Sequence, residues 1–239
     1  RISKTLSSCI LGNVDRATFT SAHAALQVSR ALQVNSFWDG GHIVRQLEGV
    51  GPTLATLLIN AGVQSISSLV HMGPRKIEKV LGKNPPFGDK LLCGVRNIPC
   101  FQVVVKQLTA SCKSGPEDNS SSSLQIGIQL QDWAFDASAS LPKFGLTDII
   151  ETSAGFVLVG AHGEKVMFHE HFSLGKGKPI AYIVPIPQAR RRESCRRWID
   201  VVVGPDKYIG VDFHVRIRVR SSGHRYESGI QKESVHQIN

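Results

Sequence analysis

Near the C-terminal end of the chain, Ile209, Val211, Phe213, Val215, Ile217 and Val219 alternate with Asp212, His214, Arg216, Arg218 and Arg220. Successive side chains of a strand point to opposite faces, whereas a helix would scatter these six apolar residues around its circumference. The stretch therefore predicts a half-buried strand, with one face on a core and an arginine-bearing face outside. The two-residue period begins at Cys100. Phe101, Val103 and Val105 alternate with Gln102 and Lys106, and Ile126, Ile128 and Leu130 with Gln125, Gln129 and Gln131. Further strands are predicted over 155–159, 165–172, 179–186 and 197–203. Seven short strands separated by Gly, Pro and Ser turns predict an antiparallel β-sandwich. Residues 114–123, with five serines, read as a solvated loop.

Before Cys100 the period is helical. Over 18–38, Ala22, Ala25, Leu26, Val28, Ala31 and Leu32 recur at three- to four-residue spacing until Asp39-Gly40-Gly41 breaks the run. A short helix follows at Ile43, Val44 and Leu47. Another is predicted from Pro52 to Ala61-Gly62, since Pro suits a first turn and Gly the position past a helix end. Ser65 is a candidate N-cap for a helix to His71, and Pro74 opens one reaching Leu81. Residues 84–88 (Asn-Pro-Pro-Phe-Gly) read as a rigid turn before a last helix carrying Leu91, Leu92 and Val95. The predicted class is α+β with two segregated domains, a small helical one and then an antiparallel sandwich. The boundaries fall at 1–38, the end of a helical bundle; 39–99, the hairpin-bearing helices; 100–220, the sandwich; and 221–239, a polar extension. The chain starts at Arg1, inside an apolar helical pattern of Ile2, Leu6, Cys9 and Ile10, and is expected to be a fragment.

The formal charge of +9 is spread evenly, +3 over each of 1–38, 39–99 and 100–239, which excludes a histone-like tail. No run of eighteen apolar residues and no secretory leader is visible. The five cysteines, Cys9, Cys93, Cys100, Cys112 and Cys195, show no C-x-x-C pair, which points to free thiols rather than a zinc site or disulfide framework. His169 and His171 share a strand face, but no further ligand follows at metal-site spacing, so no metal is expected. Gly175-Lys176-Gly177-Lys178 is not a phosphate-binding loop, and no nucleophile or carboxylate-pair arrangement stands out. The expectation is a chain with no catalytic residues and no cofactor of its own.

Two constellations can bind partners. The first is the segment from Leu47 to Gly62, which fits a helix-hairpin-helix pattern: an apolar residue, the Gly49-Val50-Gly51 turn, then a helix with one apolar face. Amide groups at such a helix start can donate to a DNA phosphate, which positions a duplex without reading its sequence. Arg75, Lys76 and Lys79 on the helix from Pro74 would add cations. Thr53 occupies a position where strong binders carry Lys or Arg, so a working phosphate clamp and a retained structural hairpin both stand. The second constellation is arginine on the sandwich. Arg190, Arg191, Arg192, Arg196 and Arg197 lie in one stretch ending at Trp198, and Arg216, Arg218 and Arg220 lie on one strand face. Arginine offers forked donors to acidic partners and stacks on rings. The three strand arginines repel one another unless cross-strand acids or a partner neutralise them.

The hairpin through Asn84-Pro85-Pro86-Phe87-Gly88, followed by Ile98-Pro99 and the switch into strands, resembles the C-terminal Sec sixty-three-type module of the meiotic crossover helicase family. A spliceosomal RNA helicase carries the related module, and the Asn-Pro-Pro-Phe-Gly stretch favours the meiotic one. The resemblance implies a bundle end, a helix-hairpin-helix domain and an immunoglobulin-like sandwich. It implies a nuclear parent whose missing lobes bind ATP and Mg and contact this module. In such a parent the sandwich would dock a recombination or mismatch-repair-like (MutL-type) protein, and the helices would guide DNA. No membrane partner is expected.

Overall fold

The structure is a computed structural model that describes residues 17–34, 40–110, 121–133, 152–161, 163–187 and 197–219. Helix α1 (Phe19–Val34) is followed by a 3-10 helix (Gly40–Gln46) and helices α2 (Pro52–Asn60), α3 (Ile66–Met72), α4 (Pro74–Leu81) and α5 (Phe87–Val95). Strands β1 (Cys100–Ala110), β2 (Ser121–Gln131), β3 (Thr152–Gly160), β4 (Val166–Gly175), β5 (Ile180–Ile186), β6 (Arg197–Pro205) and β7 (Phe213–Val219) complete the chain. No described helix is long and apolar enough to cross a membrane.

Local signals set most helix ends. Pro52 sits in the first turn of α2 behind Gly51, and Gly62 leaves that helix at φ +90°. The Ser65 side chain accepts from Ser68 N–H at 3.1 Å while the Ser68 hydroxyl takes the Ser65 N–H, a reciprocal cap that starts α3. Helix α5 begins at Phe87, so Phe87 and Gly88 belong to the helix rather than to the turn the sequence predicts. Gly88 packs its α-carbon against the Pro74 carbonyl, where a β-carbon has no room. The short helices enclose a core of Leu47, Leu58, Val63, Leu69, Ile77, Leu92 and Ile98.

The strands form two antiparallel sheets, one ordered β1-β2-β5 and the other β4-β3-β6-β7. Leu124, Ile126, Ile128 and Val184 of the first face Val157, Val159, Val201 and Val203 of the second. The first three residues of β2, Ser121 to Ser123, fall in the predicted serine loop; they pair with 108–110 and extend the strand.

Strands β3 and β6 are buried on both faces. Their other face, Phe156, Leu158 and Val202, lies under Phe19, Ala22 and Leu26 of α1. Gly160 lets the Phe19 ring settle directly on the sheet. This double burial explains why 156–159 and 201–203 are unbroken apolar runs rather than alternating ones.

Residues 209–212 are not strand. β7 starts at Phe213, and the chain ahead of it turns at Gly210 with φ +72°. The alternation persists there because Ile209 is buried where Gln46 holds its backbone, and Val211 packs on the helical core instead of the sandwich.

Candidate functional site

The loop between β6 and β7 joins the parts of the molecule. On one side, Gln46 reads the backbone of Ile209 in both directions, donating to its carbonyl at 2.9 Å and accepting its N–H at 3.2 Å. Gly210 packs against the Ile43 side chain, while Tyr208 and Val211 cover the helical core. On the other side, Arg30 of α1 forms a bidentate pair with Asp212 at 2.6 and 2.7 Å. Their side chains are 3% and 17% exposed. The guanidinium also donates to the Tyr208 carbonyl at 3.0 Å and the Pro205 carbonyl at 3.4 Å, and lies 4.9 Å over the Phe156 ring. Trp133, after β2, adds a bond from its indole N–H to the Ile98 carbonyl at 2.8 Å. These contacts tie the short helices and α1 to the strands.

In the Gly49-Val50-Gly51 turn, Gly49 has φ +82°, a conformation that disfavours any other residue. Val50 is buried as a strut and its N–H is taken by the Leu47 carbonyl at 3.2 Å. Gly51 is the exposed N-cap of α2. Pro52 has no N–H, so the donors that the first turn can offer are those of Thr53 and Leu54. On α4, Lys76 and Lys79 are exposed. Arg75 is engaged otherwise: it donates to both Glu78 oxygens at 3.0 and 2.9 Å and lies 3.1 Å from Asp89 Oδ2. Its bond to Glu78, with Asp89 behind it, raises its pKa above the ordinary arginine value. Glu78 in turn accepts the Gly88 N–H at 3.0 Å, so this arginine clamps α4 to α5.

On the sandwich, Asp200 sits in the apolar run of β6, on the face that α1 covers, and is 1% exposed. Register puts Arg216 directly opposite, and its guanidinium bonds Asp200 at 2.9 and 3.3 Å, which raises the arginine's pKa. His214 reaches the same carboxylate at 3.0 Å. Its ring meets that of His23 on α1 at 5.9 Å, and burial lowers the His23 pKa. The next rung pairs Trp198 with Arg218. This rung lies beyond Phe19, the N-terminal end of α1, and Trp198 is half exposed. Arg197 opens β6; Arg190, Arg191, Arg192, Arg196 and Arg220 lie outside the described residues.

His169 and His171 stand at the β4 edge, rings 5.0 Å apart. The Asp206 hydrogen bond raises the His171 pKa, whereas burial and the neighbouring His171 lower that of His169 to about 4. No three described His, Cys, Asp or Glu side chains are grouped to hold a metal ion.

Sequence reasoning missed Arg30, Gln46, Glu78, Asp89, Asp200 and Asp212. Two of them carry a signal in hindsight. Arg30 continues the Ala22–Leu26 stripe by another four residues, and Asp200 interrupts an apolar run. A charge on a buried stripe requires a buried partner.

No protein-family model matches the chain. It is 27% identical over 108 residues, 45% of this chain and 8% of the relative, to "Probable ATP-dependent DNA helicase HFM1" of Xenopus tropicalis. The human protein of the same name is 33% identical over 73 residues, 30% of this chain and 5% of that one. "ATP-dependent DNA helicase homolog MER3" of Arabidopsis thaliana is 24% identical over 196 residues, 82% of this chain and 16% of the relative. The chain thus spans between 5% and 16% of the length of these relatives. Over those partial regions it is weakly homologous to the HFM1 and MER3 ATP-dependent DNA helicases.

Proposed function

We propose that the chain is a non-catalytic accessory module of an ATP-dependent DNA helicase acting in meiotic recombination in the nucleus, and that its sandwich docks a partner protein. In this reading residues 39–99 are the helix-hairpin-helix domain and 100–220 the immunoglobulin-like domain. ATP and Mg bind the parent's lobes, which contact this module. The partial homology supports the helicase parent. The two sheets, three strands on four with antiparallel pairing throughout, are consistent with an immunoglobulin-like domain.

The observation that carries docking is the rung Trp198–Arg218, which no described helix covers. Tryptophan and arginine dominate the energetics of protein interfaces, and here they stand side by side where α1 stops. Arg216 enters the surface already oriented by Asp200, so less side-chain entropy is lost on binding. The partner is an acidic patch on a recombination or MutL-type protein. The test is capture of a purified MutL-type heterodimer by the chain and by its Trp198→Ala, Arg218→Glu variant. Capture should be lost while the circular dichroism spectrum is kept; undiminished capture removes this surface.

A second reading, DNA guiding, is favoured by Lys76 and Lys79, which remain exposed on α4 while Arg75 is drawn into its clamp. Each phosphate contact contributes about 0.7–0.9 to the log–log salt slope. Lys76→Ala with Lys79→Ala should therefore flatten that slope by about 1.5 on single-stranded or branched DNA. Absence of binding at low salt refutes the guiding role for this chain.

A further inference from the structure

The outer face of the four-stranded sheet is covered by α1, but among the described residues no element covers the outer face of the three-stranded sheet. Register builds that face from the rungs Val104–Gly127–Ala181 and Lys106–Gln125–Ile183, with Leu108 beyond them on β1. The inward neighbours Val105, Ile126 and Val184 belong to the sandwich core, so the alternation fixes which side chains turn outward. A solvent-facing sheet surface is ordinarily polar and often charged. Here Val104, Leu108 and Ile183 are 47%, 39% and 66% exposed, and Lys106 is the one ionisable side chain in these rungs. Lys106 makes no ion pair with a described residue.

Three features specify what the face can take. Gly127 stands between Val104 and Ala181, and a β-carbon there would meet nothing closer than the Val104 carbonyl at 3.8 Å. The middle of the sheet is therefore a shallow trough that admits a side chain down to the backbone. The second feature is size. Strands about 4.8 Å apart and rungs about 6.8 Å apart give a face on the order of 400 Å² with its side chains. That is about half of the roughly 800 Å² each partner buries in a stable interface between globular proteins. A single short segment would cover it, whereas a second copy of the chain or a large domain would have to extend over polar neighbours such as Gln102 and Gln129. The third feature is charge. Covering the aliphatic ring would strip water from the Lys106 ammonium, which is costly unless the occupant brings an opposite charge to it.

We propose that this face binds a short protein segment carrying one carboxylate flanked by aliphatic side chains, the carboxylate on Lys106 and an aliphatic group in the trough over Gly127. The site is separate from the Trp198 surface and does not depend on that reading.

The experiment is selection of a displayed library of short random peptides on the full chain, with the Lys106→Glu variant selected in parallel. Peptides enriched on the natural chain should carry a single Asp or Glu beside Leu, Ile or Val. A synthetic peptide of that kind should bind Lys106→Glu about tenfold or more weakly. Selection on the variant should return peptides with Lys or Arg in place of the acid. Lys106 is exposed, so the substitution leaves the core intact, and a circular dichroism spectrum checks this. Enriched peptides without an acid overturn the proposal. So do acidic peptides that bind Lys106→Glu equally well, and so does enrichment no greater than on a Val104→Asp, Ile183→Asp variant.

Discussion

Removing the Asp212 carboxylate should loosen the whole molecule, because the Arg30 guanidinium it neutralises cannot reach water. In Asp212→Ala the arginine keeps only backbone carbonyls, those of Tyr208 at 3.0 Å and of Pro205 and Leu26 at 3.4 Å. Breaking a buried ion pair from one side costs about 3–5 kcal/mol, and the remaining neutral acceptors offset about 1 kcal/mol of that. The net loss is then about 3 kcal/mol, equivalent to a melting midpoint lower by about 6–12 °C for a chain of this size. Replacing both partners is a different perturbation. Arg30→Met with Asp212→Leu leaves no charge under α1 and should recover stability to within about 1–2 kcal/mol of the natural chain. Thermal denaturation followed by far-ultraviolet circular dichroism on the natural chain, both singles and the double completes the cycle. A loss below about 1 kcal/mol for Asp212→Ala, or a double variant as weak as the sum of the singles, would refute the buried lock.

Gly88→Ala places a methyl group against the Pro74 backbone and should cost about 1–3 kcal/mol in urea denaturation, since neither helix can yield without opening the Glu78 bond. Gly210→Ala combines φ +72° with a clash on Ile43, and should speed amide exchange at Ile209, whose N–H is held by Gln46. His169 binds its proton with a pKa of about 4 in the folded chain, below its ordinary value of 6.5, so acidification through that window favours the unfolded chain. Discounted for its partial exposure, this amounts to about 1–2 kcal/mol lost between about pH 6.5 and 4. His169→Phe should abolish the loss in urea midpoints compared at neutral and acid pH. His171 acts with the opposite sign: its pKa is raised by Asp206, so its contribution is full below the unfolded value and fades as pH rises through the folded one.

What could be read in advance was local. Pro52, Ser65 and Pro74 mark helix starts by chemistry that acts within one turn, and the structure places helices there. Two-residue alternation identified strands wherever the sheet alone buried the apolar face. It misled at 209–212, because a period tells that alternate residues are buried but not against what; Val211 packs on the helical core, and Ile209 is buried in a bend rather than a strand. The same limit governs the site. Arg75 was read as a cation free for phosphate, and its clamp on Glu78 and on Asp89 of another helix emerges only from the packing of α4 against α5. The arginine row was expected to need a cross-strand acid or a partner, and only the β6–β7 register shows that Asp200 stands across from Arg216. Of that row, Arg218 keeps the outward place the alternation predicted, beside a tryptophan that the sequence marks only as the end of an arginine run.

The covering of β3 and β6 by α1 imposes an order of events on synthesis. The helix leaves the ribosome first, yet the surface for Phe19, Ala22 and Leu26 is built from strands far downstream, and Arg30 is 182 residues ahead of Asp212. At about 5–20 residues per second, that interval is on the order of ten to forty seconds. Throughout it the newborn helix exposes an apolar stripe with a bare cation on it, a target for chaperones or for whatever folded domain has emerged before it. A polypeptide beginning at Cys100 faces the converse problem, with Phe156, Leu158 and Val202 left wet on the back of its sheet.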